Sequence, residues 1–146
     1  MKILAIAAAA AALSFASPVL AQDGYPLQPA EYVEVTGIHI DDGYGMTYAN
    51  HLATIWRQSQ DFSLEQGWIT GYEILVNVYP REGEPDVYLL TRFTEWTSPE
   101  EGERRQELYE EHMAMTASQM QEASAGRAEY RHVGSEVLLR RMVWDD

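Results

Sequence analysis

The chain has 146 residues, of which 46% are hydrophobic and 23% charged, as expected for one domain that can build a packed core. Its formal net charge of −13 repels phosphate backbones and anionic lipid surfaces, so we expect neither nucleic acid nor a membrane surface as a partner. It has no cysteine, which excludes a disulfide framework, a thiol nucleophile and a thiolate metal site.

The first 21 residues are typical of a secretory signal peptide. Lys2 supplies a positive start, an alanine-rich apolar run extends from Ile3 to Phe15, and Ala21 is the small residue that signal peptidase requires at its cleavage site. The apolar run is too short to span a bilayer as a membrane anchor. We therefore expect cleavage after Ala21, a periplasmic or secreted protein, and no membrane association after cleavage.

The mature chain is predicted to consist of a flexible lead-in over residues 22–30 and a single domain over residues 31–144. Residues 32–40 are rich in β-branched side chains and stop at an Asp-Asp-Gly turn, which predicts the first strand. Apolar residues at helical spacing then predict a helix from Gly45 to Gln66, where the following glycine closes it.

Two alternating segments, residues 69–79 and 87–96, predict the second and third strands on either side of a polar turn. The sequence Ser-Pro-Glu-Glu at residues 98–101 has the pattern of a capping box and predicts the start of a second helix. One apolar stripe, which includes Met113 and Met120, continues along this helix toward Gly126. Residues 135–144 predict the last strand.

The order β-α-β-β-α-β predicts a ferredoxin-like α+β sandwich, in which both helices cover one face of a four-stranded antiparallel sheet. Right-handed crossovers give the strand order 4-1-3-2. On the first strand, parity with the apolar faces of the second and third strands predicts that Val33, Val35 and His39 lie under the helices.

The opposite face of the sheet is predicted to carry charges of alternating sign among large apolar side chains. An arginine of the last strand, Glu34, Arg92 and Glu73 follow one another across the sheet in the predicted strand order. Apolar groups such as Leu90 share this face, and a bare patch of this kind marks an interaction surface. We therefore expect a homodimer held by its sheet faces.

The element pattern over residues 31–144 resembles the dimeric α+β barrel superfamily, which includes antibiotic-biosynthesis-monooxygenase-like domains and many secreted uncharacterised proteins. The local likeness is the sequence Phe-Thr-Glu-Trp-Thr-Ser at residues 93–98, with His112 further along the second helix. In those families a tryptophan at the end of the third strand and a histidine on the second helix serve an active pocket. The resemblance therefore implies that Trp96 and His112 line a pocket, and we expect no cofactor there.

Five residues are candidates for a site that binds a small, partly apolar ligand: His39, Tyr48, His51, Trp96 and His112. If the fold is right, the three histidines are in positions from which they would look into one cleft between the sheet and the helices. The alternative for each of them is an ordinary surface or hydrogen-bonded core histidine. No pair of histidines has the spacing of a metal site, so we expect no metal.

Two functions remain open at this stage. The first is a secreted dimeric module that binds a small ligand or acts in assembly, which is favoured because the sequence contains no nucleophile elbow, phosphate loop or dinucleotide-binding glycines. The second, implied by the resemblance, is a cofactor-free monooxygenase or oxidase that acts on a small aromatic substrate. Whether the three histidines share one cavity distinguishes the two.

Overall fold

The computed structural model describes residues 25–145, so the predicted signal peptide and residues 22–24 lie outside the described part of the chain. Its elements are β1 (Leu27–Ile40), α1 (Gly45–His51), a π-helical segment (Leu52–Trp56), α2 (Arg57–Glu65), β2 (Gly71–Val76), β3 (Val87–Phe93), α3 (Pro99–Met113), α4 (Ala117–Arg127) and β4 (Arg131–Trp144). Residues 27–30, predicted as flexible, are the start of β1, because β4 extends to Trp144 and pairs with them. Between residues 25 and 145, no helix is both long and apolar enough to cross a membrane.

The four strands form one antiparallel sheet in the order β2-β3-β1-β4, which is the predicted order read from the other edge. With helices between β1 and β2 and between β3 and β4, this topology is the ferredoxin-like α+β fold. Strand β4 begins at Arg131 rather than at the predicted Ser135, and it pairs with β1 along most of its 14 residues. β2 and β4 are the edge strands.

The buried core lies between the sheet and the first helical segment. Ile38 on β1 and Val87 on β3 are only 2% and 7% exposed, and they contact Tyr48 and Leu52. Ile38 is paired with Val87, and residues paired across antiparallel strands point to the same face. The even-numbered residues of β1 therefore face the helices.

This register overturns the predicted orientation of β1. Val33 and Val35 pair with Arg92 and Leu90, so they lie on the face away from the helices rather than under them. Glu34 pairs with Thr91 and lies on the helix side. The error arises because β1 is an interior strand with apolar residues on both faces, so its pattern does not distinguish the two.

We call the face away from the helices the open sheet face. Leu75, Val137 and Leu139 on it are 48%, 44% and 51% exposed. Its apolar side chains, placed by the strand register, are Val33, Val35, Leu75, Tyr88, Leu90, Val137 and Leu139. The structure therefore leaves an apolar surface spread over all four strands.

Charged residues of alternating sign cross one end of the open sheet face. Arg92 donates to Glu73, and Arg141 Nη1 donates to Glu31 Oε1 over 2.9 Å. Glu31 therefore occupies the place in this row that was predicted for Glu34. A backbone hydrogen bond and the Arg141 guanidinium hold the pKa of Glu31 below its usual value, so the row consists of two ion pairs with no net charge.

The first helix is confirmed from Gly45 to Glu65, but its middle turns are π-helical rather than α-helical. The hydroxyl of Thr54 donates to the carbonyl oxygen of Asn50 over 2.7 Å, which competes with the regular helical ladder at this point. The backbone N–H of Arg57 bonds to the carbonyl of Leu52, five residues back. The widened segment lies along the core.

The second helix begins as predicted. Ser98 has extended backbone angles, its hydroxyl accepts the N–H of Glu101 over 3.2 Å, and Pro99 is the first helical residue. The reciprocal half of the capping box is not formed, because the Glu101 side chain binds Arg104 and Arg105 instead.

This second helix is two helices rather than one. Ala114 adopts left-handed angles, with φ of 51°, and ends α3. Thr116 and Gln119 then form a complete capping box that starts α4, since each side chain bonds to the other's backbone N–H. The break separates Met113, at the end of α3, from Met120 in α4. Helix α4 ends at Arg127.

Candidate functional site

A cleft of about 520 Å³ lies between the first helix and the sheet. Tyr48, Leu52 and Ala53 line it from the helical side, so part of its wall is the π-helical segment. The sheet side is apolar and consists of Ile40, Ile74, Val76 and Val87. Its size and lining match those of pockets that bind small organic molecules.

Two polar side chains, Asn77 and Asp86, line this cleft from the β2–β3 connection. Asp86 is fixed to β1, because its backbone N–H donates to the Ile38 carbonyl over 2.9 Å and its Oδ2 accepts the N–H of Ile40 over 2.8 Å. Asn77 is held by the carbonyl of Pro85, to which its Nδ2 donates over 3.2 Å. Within residues 25–145, no side chain or N–H donates to Asp86 Oδ1, so one carboxylate oxygen is left as an acceptor for a ligand.

Tyr48 and His51 are the two predicted site residues that the structure brings together. Their rings stack with centroids 5.8 Å apart, and Tyr48 is only 3% exposed. Burial raises the pKa of the Tyr48 hydroxyl, so this group is neutral at pH 7. Burial, together with the charges of Arg127 and Arg131, lowers the pKa of His51 to about 4, and the imidazole is neutral at pH 7.

His39 lies elsewhere in the sheet, where it pairs with His132 of β4. A β-bulge inserts Gly134 into β4 at this point. A Cβ atom at Gly134 would stand 2.3 Å from Nε2 of His39, so only glycine leaves room for the imidazole. His39 therefore packs against the bulge at Gly134 and does not line the cleft.

His112 and Trp96 lie apart from the cleft and contact different residues. The His112 ring stacks on Phe62, with centroids 4.0 Å apart, and borders a shallow groove beside α2. Trp96 follows β3 and is 66% exposed, and it contacts Tyr32 and Phe93 with centroid distances of 5.5 and 5.3 Å. The three candidate histidines thus contact three different sets of residues.

Sequence reasoning missed the polar residues of the cleft. Asp86 and Asn77 fall in or beside a segment read as a polar turn, and nothing in the pattern indicates that the turn folds back over β1. Between residues 25 and 145, no three His, Asp or Glu side chains lie close enough together to hold a metal ion. The cleft accordingly offers apolar contact, one free carboxylate oxygen and the Tyr48 ring.

The chain matches no protein-family model and no curated protein. Among solved structures, it is similar to the crystal structure of HapK from Hahella chejuensis, with a TM-score of 0.48 and 6% sequence identity. The similarity covers 75% of this chain and 91% of HapK.

Proposed function

We propose that this protein is a secreted, homodimeric binding module whose cleft takes a small, largely apolar molecule bearing a hydrogen-bond donor. The observation that carries the proposal is the 520 Å³ cleft with its apolar walls and the free Oδ1 of Asp86. A hydroxyl or amine on the ligand would donate to that oxygen, while the walls remove the rest of the ligand from water.

Binding is the function that this geometry supports best. General acid–base catalysis requires a titratable group within hydrogen-bond reach of the reacting atoms. His51 stacks beside Tyr48, but the residues that the family resemblance assigned to a pocket, Trp96 and His112, contact other parts of the molecule. No observation among the described residues favours the oxidase alternative.

The helix that forms one wall of the cleft is irregular at Leu52 and Ala53, two of the residues that line it. A π-helical segment places an extra residue in the helix and is a recurrent feature of functional sites. Here the segment begins at Leu52, which packs in the core, and continues with Ala53, whose small side chain leaves space for a ligand.

The exposed apolar side chains of the open sheet face support homodimer formation through that face. Five hydrophobic side chains of the described chain are buried (Ile38, Tyr48, Leu52, Phe62 and Val87), and none of them lies on the open sheet face. Burying apolar surface contributes about 25 cal/mol per Å². The charged row on this face is internally paired, so two copies can meet without opposing net charges there.

Secretion remains a proposal that rests on residues 1–21 alone. Export would remove the signal and leave Gln22 as the first residue of the mature protein. N-terminal sequencing of the protein from the periplasm or the medium tests this, and material that still begins with Met1 would contradict it.

The cleft is tested by native mass spectrometry of the purified protein and by titration with the neutral fluorophore N-phenyl-1-naphthylamine. We expect a dimer, and fluorescence that rises on binding. Ala49→Trp, which fills the cleft from α1, should weaken fluorophore binding at least tenfold. Ala125→Trp, on the exposed surface of α4, is the matched control and should bind as the wild type does.

Two results would contradict the proposed function. Equal binding by the wild type and Ala49→Trp would show that the fluorophore sits elsewhere. Asp86→Asn provides a second check, because its single amide oxygen would accept the N–H of Ile40 and leave an NH2 donor in the place of the free Oδ1. A hydroxylated or amine-bearing naphthalene that bound this variant as tightly as the wild type would exclude Asp86 as the acceptor.

A further inference from the structure

Two of the nine arginines between residues 25 and 145 differ from the rest. Six form ion pairs with Asp or Glu, and Arg140 lies over the ring of Tyr32 at 3.9 Å. Arg127 and Arg131 pair with no carboxylate in this part of the chain, although the sequence contains 23 acidic residues. In so acidic a protein, an arginine without a carboxylate partner is an exception that calls for an anion from another source.

Both guanidinium groups are also partly removed from water. The Nε atom of each is buried and has no hydrogen-bond partner within the described residues. Arg127 Nη1 donates to the Ala123 carbonyl over 2.9 Å, which is the ordinary role of a basic residue in the last helical turn. Arg131 Nη2 donates to Ser124 Oγ over 3.3 Å. These two bonds leave most of the N–H donors unused, and buried donors without acceptors are unfavourable.

No carboxylate of residues 25–145 lies within ion-pair distance of either guanidinium, and Asp41 at the same corner binds His132. Tyr130, between the two arginines, stacks on Tyr44 at 5.5 Å and packs against the core, which fixes this corner to α1. Burial, and then the charge of Arg131, lowers the pKa of Arg127. The neighbouring His51 is neutral at pH 7, so it adds no third positive charge to the two guanidinium groups at this corner.

A partly open apolar cavity adjoins Arg127. It measures about 270 Å³ and is lined by Ile55, Tyr109, Met113, Met115 and Met120, with Arg127 as its only charged lining residue. The Tyr109 hydroxyl is already committed, since it donates to Ser59 Oγ over 2.6 Å. Methionine side chains are flexible and polarisable, so they adapt to apolar ligands of different shapes.

We propose that this methionine cavity is a second binding site, and that it takes a small carboxylate with an apolar body. The apolar body would lie among the methionines, and the carboxylate would accept hydrogen bonds from Arg127, with Arg131 adding positive charge. Guanidinium groups bind carboxylates through paired N–H donors, which is the interaction that both residues lack within the chain. The lining of this cavity shares no residue with the lining of the cleft between the first helix and the sheet.

Octanoate is the test ligand, and isothermal titration calorimetry is the measurement. We expect octanoate to bind at least tenfold more tightly than 1-octanol, which has the same chain but no charge, and than acetate, which has the charge but no chain. Arg127→Gln should reduce the preference for octanoate over 1-octanol at least tenfold. Arg104→Gln removes an exposed arginine of α3 and should leave the preference unchanged.

Several outcomes would overturn the proposal. Equal affinity for octanoate and 1-octanol would exclude a role for the arginines, and phosphate or acetate binding as tightly as octanoate would reduce the site to a simple anion site. If Arg127→Gln fails to fold, Met120→Gln provides the alternative test, because it makes the cavity wall polar and should weaken octanoate at least fivefold. Arg127→Gln should not alter naphthylamine binding to the cleft, and Ala49→Trp should not alter octanoate binding, so the two sites can fail independently.

Discussion

Leu138 and Leu139 provide a matched pair for testing the dimer. They are consecutive residues of β4 and almost equally exposed, at 47% and 51%, but they point to opposite sides of the sheet. Leu139 pairs with Val33 on the open sheet face, whereas Leu138 pairs with Glu34 on the helix side. We expect Leu139→Arg to dissociate the homodimer and Leu138→Arg to leave it intact.

The magnitude follows from half-burial of one leucine. Complete burial of a leucine side chain contributes about 1.5–3 kcal/mol, so covering the exposed half contributes about 1 kcal/mol. An arginine at this position must bend to reach water, which destabilises the dimer by roughly another 1 kcal/mol. A two-fold interface contains every substitution twice, which gives about 4 kcal/mol in total. Dissociation constants change tenfold per 1.4 kcal/mol, so Leu139→Arg should weaken the dimer about a thousandfold.

Sedimentation velocity over a concentration series measures this change directly. Both leucines are half-exposed in the monomer, so neither arginine should disturb the monomer fold, and circular dichroism serves as the check. A wild-type protein that is monomeric at micromolar concentration would refute the dimer. Equal dissociation by both variants would show that the contact does not use the open sheet face.

Three further predictions concern stability. Ser98→Ala removes the acceptor for the N–H of Glu101 and should lower the free energy of unfolding by about 1 kcal/mol in urea denaturation, and an unchanged value would mean that the cap is not formed. Ala114→Gly should raise the free energy of unfolding by about 0.5–1 kcal/mol, because glycine adopts the left-handed angles without strain; a lower melting temperature would contradict the break between α3 and α4. The lowered pKa of His51 means that the unfolded chain takes up the proton first, so stability should fall as the pH drops from about 6.5 to about 4, and His51→Gln should make this fall shallower in denaturation measured across that range.

Parts of the fold were predictable where a local residue pattern is compatible with only one secondary structure. Ile74 of β2 and Leu89 of β3 lie on the helix side as predicted, and Ser98 with Pro99 starts a helix as predicted. The face of β1 was predicted wrongly because its apolar residues change faces along the strand, from Val33 and Val35 on one side to Ile38 on the other. The break at Ala114 carries neither glycine nor proline, and the apolar stripe runs on across it, so the sequence predicted one helix.

The candidate site was less predictable than the fold because it depends on packing between distant segments. Tyr48 was identified from helical spacing, and it does line the cleft. Asp86 reaches the cleft only because its turn bonds to β1, 46 residues away along the chain. Arg127 ends α4 and Arg131 begins β4, and only the three-dimensional structure shows that neither pairs with a carboxylate of residues 25–145 whereas six other arginines do.

The free edge of β4 has a consequence for the behaviour of the protein at high concentration. Three consecutive apolar residues, Val137 to Leu139, lie on an edge strand, where unpaired backbone groups are a template for strand addition by other chains. The two residues that follow, one on each face of the sheet, oppose such addition. Arg140 is held over the Tyr32 ring on the helix side, and Arg141 is held by Glu31 on the open sheet face. An incoming strand therefore meets a long, fixed arginine side chain on either face of β4, which disfavours the growth of fibrils along this edge.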